Sequence, residues 1–332
     1  MNPSEELESI ICLCGNSTDK TIIEAVDPVE RRVWVYRCCP ECGLERLSPR
    51  PKITEMGRYY PDEYTPYNDP APQQESRADQ IKKLVYETYF ASSEERSLFV
   101  RRYRILLMVI LLPFRQHSVL SFKPPDLPRR VFEFGASSGA DLLEFRSAGW
   151  HVSGCEPSSF VAATAAARGV ELQVCAAEDA ILPDNLSCAY MNNVFEHLHD
   201  PIAVLAKIHT ALLPGGLVVI VVPNHASWAA RMFGSQWPGY DPPRHIWGFT
   251  PHSVQGVFAR AGFETVSVVQ KYPLSTFCWG TGLTAGRTVD GKDNVWGRRI
   301  VRLLGRGLLL GGFMAALFGS GDFMRVVARK VG

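Results

Sequence analysis

Residues 131–145 read VFEFGASSGADLLEF, and this stretch decides the fold. A short apolar run, VFEFG (131–135), reaches a turn containing Gly135 and Gly139, and a helical pattern follows from about Ala140 to Ala148. A strand that ends in such a turn and opens a helix is a generic nucleotide-binding arrangement, because the helix N-terminus presents unpaired N–H groups to a ligand. Glycine allows close ligand approach and backbone conformations closed to other residues. The spacing is G-x-x-x-G where a dinucleotide site would show G-x-G-x-x-G, which argues against a dinucleotide.

The pattern repeats outward from this turn. WHVSGCE (150–156) reads as a second strand and residues 160–168 as a helix. ELQVC (171–175) and SCAYMNN (187–193) read as the third and fourth strands. A helix over 202–213 stops at Pro214-Gly215-Gly216, and LVVIVVP (217–223) is the fifth strand. Thr250-Pro251 opens the next helix, with Thr as cap and Pro in the first turn, and Gly262 closes it. ETVSVVQ (264–270) and FMRVVARK (323–330) complete the set. Apolar strands alternating with amphipathic helices predict an α/β fold: a Rossmann-like, seven-stranded, mostly parallel sheet covered on both faces.

Glu156 ends the second strand about twenty residues beyond the glycines. A carboxylate held there can accept hydrogen bonds from both hydroxyls of a ribose. After the third strand, Ala177, Glu178 and Asp179 offer backbone and carboxylate groups to an adenine amino group. Taken in order, FEFGASSG, CEPS, AAED, NNVFEHLHDP, LLPGG and VVPN resemble class I S-adenosylmethionine-dependent methyltransferases over about residues 126–330. The resemblance implies S-adenosylmethionine as cofactor. It assigns Glu133 to the acidic position of the first motif, near the methionine end. Gly135, Ser137 and Gly139 take its three glycine positions, and Glu156-Pro157 and Asn193 further contacts. Ser137 departs from glycine, and Glu133 is longer than the commoner Asp.

Methyl transfer from a sulfonium is a direct displacement, so the enzyme mainly positions donor and acceptor in line. For a hydroxyl or acidic-carbon acceptor a base is also useful. His197, just after the fourth strand, and His245, within DPPRHIWGFT, are the candidates, each with a structural alternative. Arg244 is a candidate for holding an anionic group in the Trp- and Pro-rich segment between the fifth strand and the next helix. Some quinone-biosynthetic O-methyltransferases carry an E-x-x-E-H metal pattern at this strand end. Here Asn193 occupies its first position, and a catalytic magnesium ion is not expected.

CLCG (12–15) and CPEC (39–42) form two cysteine knuckles. Four thiolates, Cys12, Cys14, Cys39 and Cys42, suit a structural zinc ion, with Cys38 as an alternative to Cys39. CPECGLERLSPRP and the following RYYPDEY resemble the zinc-ribbon segment joined to many bacterial methyltransferases. Members of that group often serve polysaccharide or secondary-metabolite pathways, which implies a small-molecule or sugar/glycan-type acceptor.

With 35 basic and 34 acidic residues, the chain lacks the electrostatic footprint of a dedicated nucleic-acid binder. The expected organisation is a zinc-ribbon module (1–50), a linker and helical segment (51–125) and the catalytic domain (126–332). Clustered cysteines after the acidic opening MNPSEELESI, which does not resemble a signal peptide, predict a cytoplasmic setting. The apolar run Ile105–Phe114 is read as a buried helix. The segment 298–320, with four arginines before an apolar Gly-rich stretch, is a candidate for peripheral membrane contact. The rival readings are an RNA methyltransferase and a catalytically inactive, methyltransferase-like binding protein. Oligomeric state is not read from the sequence.

Overall fold

The computed structural model describes residues 6–27, 30, 32–60, 77–112, 115, 118–271 and 319–332. The cysteine-rich part contributes five short strands, β1 (Leu7–Glu8), β2 (Thr21–Val26), β3 (Val33–Cys38), β4 (Glu45–Leu47) and β5 (Arg50–Pro51). Helices α1 (Arg77–Tyr89) and α2 (Leu98–Ile110) follow. The alternating portion runs β6 (Arg130–Phe134), α3 (Ala140–Ser147), β7 (His151–Cys155), α4 (Ser159–Ala167), β8 (Leu186–Asn192), α5 (Pro201–Ala211) and β9 (Leu212–Pro223). It ends with α6 (Trp228–Phe233), β10 (Trp247–Gly248), α7 (Pro251–Arg260), β11 (Phe263–Lys271) and β12 (Phe323–Lys330).

The central sheet has the order β11-β12-β9-β8-β6-β7. β6 pairs in parallel with both β7 and β8, so Glu133 lies opposite Gly154 on one side and Tyr190 on the other. This is the expected Rossmann-like α/β architecture, with six strands among the described residues where seven were expected. The segment 171–175 accounts for the difference. Its pairing shrinks to one bridge, Cys155 to Gln173, before the chain turns into a short 3-10 helix at Ala177–Asp179. Its half-exposed, mixed-polarity residues have no apolar face to bury, so the ladder is not extended.

The chain divides into two compact units. One comprises 62–191, 207–218 and 329–332. Its core is built where Phe145 of α3 meets Trp150 and Tyr190 edge-on, at 5.5 and 5.3 Å between ring centres. Apolar residues from α4, Val161 and Ala165, are fully buried as well. α1 and α2 share a small cluster, Val85, Val100, Leu107 and Leu111. The remainder of α2 corrects the expectation of a buried helix: Ile105 is 83% and Val109 70% exposed. An unbroken apolar run contains more apolar residues than one neighbouring helix can cover.

The other unit comprises 1–61, 192–206 and 219–328. Its four-stranded sheet has the order β10-β4-β3-β2, so residues far along the chain extend the sheet of the cysteine-rich segment. Trp34, Tyr36 and Leu47 share one core with Trp237 and Tyr240. Glu45 on β4 accepts hydrogen bonds from Tyr240 Oη at 3.0 Å and pairs with buried His225 Nδ1 at 2.8 Å. Most of the segment chosen for peripheral membrane contact, residues 298–318, lies outside the described residues, as do Pro61–Tyr64 of the RYYPDEY motif. Among the described residues no helix is long and apolar enough to cross a membrane.

Candidate functional site

The turn after β6 is shaped around Glu156. Phe134, the last residue of β6, is in register with Cys155, the last of β7, and Ala136 N–H donates to the Cys155 carbonyl at 2.9 Å. That contact sets the two strand ends side by side. The Glu156 carboxylate then accepts from Ser137 N–H at 2.9 Å and Ser158 N–H at 3.0 Å. Burial raises the Glu156 pKa, and these two N–H bonds work against the rise.

Three residues of the turn take the left-handed region: Gly135 at φ 60°, Ser137 at 47° and Gly139 at 75°. The turn therefore needs a positive φ at all three positions, and Ser137 meets that need under strain. A side chain at Gly139 would also meet Ala165 Cβ at 3.3 Å. Beneath the turn Glu133 is 2% exposed. Its Oε2 has no hydrogen-bond partner. Burial, then the charges of Asp141 and Glu156, push its pKa well above the ordinary value. A buried orphan carboxyl oxygen calls for a donor, which the amino group of a methionine moiety would supply. Pro157 is exposed directly after Glu156, and Ala177, Glu178 and Asp179 form the 3-10 helix beyond the bridge.

A second cluster follows β8. Asn193 sits at φ 55°, a left-handed position that Asn tolerates better than most residues. The next turn, Phe195–His197, is anchored by Phe195, which stacks on Phe249 and Phe258 at 5.1 and 5.8 Å. Glu196 is 1% exposed, and neither carboxyl oxygen has a hydrogen-bond partner. Burial pushes its pKa up to about 8. His197 Nδ1 lies 2.9 Å from the Arg244 carbonyl and 3.0 Å from Tyr60 Oη. His245 Nδ1 lies 2.7 Å from the Gly239 carbonyl. A carbonyl only accepts, so each ring carries its proton on Nδ1 and leaves the Nε2 lone pair free. Burial, then the neighbouring His245, lowers the His197 pKa to about 3. Burial lowers that of His245 as well. Both shifts favour the neutral imidazole.

Arg244 has other duties. Its guanidinium grips Asp241 through two hydrogen bonds, of 2.8 and 2.5 Å, and reaches the Tyr59 carbonyl at 3.3 Å. Against burial, that guanidinium holds Asp241 below the usual carboxylate range. Glu196, Asp241 and Tyr60 are the members that sequence reading did not assign. The adjacency Glu196-His197 was the available signal.

The cysteines converge as well. Cys12 Sγ lies 3.4 Å from Cys42 Sγ, and Cys14 Sγ lies 3.5 Å from Cys39 Sγ. All four sulfurs fall within 4.8 Å of one another, and none is in a disulfide. A tetrahedral zinc ion with 2.3 Å bonds sets its sulfurs about 3.8 Å apart, close to this spacing. Burial raises the Cys42 thiol to about 11. Although burial opposes it, N–H bonds from Cys42 and Glu41 hold the Cys39 thiol down to about 7. Cys38 is outside the cluster, and its Sγ faces the Cys39 carbonyl.

Residues 104–268 match a family model described as a methyltransferase domain. The chain therefore carries a methyltransferase domain, and the protein is an S-adenosylmethionine-dependent methyltransferase. No curated protein matches the chain. Solved structures resemble it at low identity. A methyltransferase of Thermotoga maritima is 18% identical, with 74% of this chain and 98% of that one covered, at a TM-score of 0.44. A methyltransferase of Mesorhizobium loti is 18% identical, with 66% and 97% covered, also at 0.44. A phosphoethanolamine N-methyltransferase of Haemonchus contortus, in complex with S-adenosylhomocysteine, is 16% identical, with 70% and 59% covered, at 0.43. These likenesses carry nothing about the acceptor.

Proposed function

We propose that the enzyme methylates an oxygen of a small-molecule or sugar/glycan-type acceptor. Glu156 would pair with the cofactor's ribose, Glu133 would face its methionine end, and Gly135, Ser137 and Gly139 would let it approach the backbone. Ala177, Glu178 and Asp179 would border the adenine. The observation that carries the acceptor reading is the pair of imidazoles, His197 and His245, each held through Nδ1 by a backbone carbonyl beside the Glu196 carboxyl group. Such a cluster takes up the proton or negative charge of a hydroxyl acceptor, a service an amine acceptor needs less. Its turn begins just past the C-terminal end of β8, the end of a parallel strand where ligands bind in such sheets. Arg244 acts as a positioning residue, through Asp241 and the carbonyl that fixes His197.

The four-cysteine cluster would hold a structural zinc ion, since four thiolates leave no open coordination position. Thiolate ligation requires reduced cysteines, which fits a cytoplasmic setting.

The test is incubation with methyl-deuterated S-adenosylmethionine and a panel of sugars, nucleotide sugars and phenols, with total RNA as a separate arm. Label on an acceptor oxygen, lost in His197→Ala and His245→Ala, supports the reading. Label confined to nitrogen or to RNA overturns it.

A further inference from the structure

We infer that Glu196, His197 and His245 together bind one divalent transition-metal cation, distinct from any ion at the four cysteines. One ligand atom from each residue lies within 4.8 Å of the other two. His245 Nε2 is 3.9 Å from Glu196 Oε1 and 4.0 Å from Asp241 Oδ2. A tetrahedral ion about 2.1 Å from each ligand sets neighbouring ligand atoms about 3.4 Å apart, so a small side-chain rotation closes the site. Two independent features point to a cation and not to packing alone. Both oxygens of Glu196 are buried without a hydrogen-bond partner, a costly arrangement that a cation would satisfy. Both imidazoles donate Nδ1–H to backbone carbonyls, the outer-shell arrangement that orients histidine for metal ligation through Nε2.

Two nitrogens and one carboxylate select a zinc-, cobalt- or iron-like ion over magnesium, which prefers oxygen donors and retains its water. His245 thus supplies, from a separate loop, the ligand that Asn193 lacks. Three protein ligands leave one position for water or for an acceptor oxygen; with the ion bound the Nε2 lone pairs are engaged, so the ion, by lowering the pKa of that oxygen's proton, takes over the part the free imidazoles would play. This use of the ion rests on the proposed O-methylation; its binding does not.

The test strips the 332-residue chain with a chelator, reloads it with Co2+ and measures cobalt per chain together with the absorption spectrum. Two cobalt ions are expected, one of them showing thiolate-to-cobalt charge transfer. Glu196→Gln and His245→Ala should each lose one cobalt, keep the charge-transfer band and keep the wild-type circular dichroism spectrum. A wild-type protein whose only cobalt is thiolate-bound overturns the inference, as does full retention of both ions in the two variants. S-adenosylmethionine binding, followed by calorimetry in the same samples, reports separately on the methyltransferase reading.

Discussion

Glu196 and His245 face one another across 3.9 Å, Oε1 to Nε2, with no hydrogen bond between them. They belong to segments almost fifty residues apart, joined where Ile246 N–H donates to the Glu196 carbonyl at 2.9 Å. The loop carrying His245 is fixed on its other side by Tyr36 of β3. The Tyr36 hydroxyl lies 2.6 Å from the carbonyls of both Tyr240 and His245. The cysteine-rich segment therefore helps shape the proposed acceptor cluster.

Tyr36→Phe removes that hydroxyl from two carbonyls, that of Tyr240 buried and that of His245 partly so. A loss of about 1–3 kcal/mol is expected in denaturant unfolding. Methyl transfer should fall further than cofactor affinity, because the changed loop carries His245. Equal losses in both would contradict this division of labour.

Ser137→Gly relieves a left-handed serine. The strain is about 1–2 kcal/mol, offset in part by the greater freedom of glycine in the unfolded chain. A net gain of roughly 0.5–1 kcal/mol is expected, read as a small rise in Tm, with cofactor affinity unchanged or improved. A lower Tm would show that the Ser137 side chain contributes something the strain does not account for.

Cofactor affinity should depend on pH through Glu156. Its pKa is raised from 4.5 by burial, and only the ionised form accepts from both ribose hydroxyls. Affinity is therefore at its full value well above the raised pKa. It falls by up to about tenfold per pH unit below that point, beginning at higher pH than for an ordinary glutamate. Calorimetry from about pH 8 down to about pH 5 would show this, and Glu156→Gln should flatten the curve at low affinity. An unchanged slope in Glu156→Gln would assign the dependence to another group.

Zinc removal should unfold the cysteine-rich segment. Chelation, or Cys42→Ser, is expected to cost on the order of several kcal/mol, seen as a lower Tm that added Zn2+ restores in the wild type only. A Tm indifferent to both treatments would mean the thiols are packed without an ion.

Much of the central sheet is legible in short apolar runs. FMRVVARK becomes β12 residue for residue, and the turn 135–139 sits where the glycines require it. The third strand was misread because ELQVC has the apolar content of a strand but no face to bury. The exposure of α2 was invisible, since an apolar run does not reveal how many neighbours will cover it. In the proposed acceptor cluster, Glu196 and His197 adjoin in sequence, but their meeting with His245 depends on tertiary contacts that no local pattern encodes. The extension of the cysteine-rich sheet by β10 was hidden for the same reason.

The most direct test of the account is calorimetric titration of the zinc-loaded protein with S-adenosylmethionine and S-adenosylhomocysteine, alongside Glu156→Ala. Saturable binding at one site per chain is predicted, weakened at least about tenfold in the variant through loss of charge-assisted hydrogen bonds to the ribose. Absence of binding by the folded wild-type protein, or undiminished binding by Glu156→Ala, would contradict it.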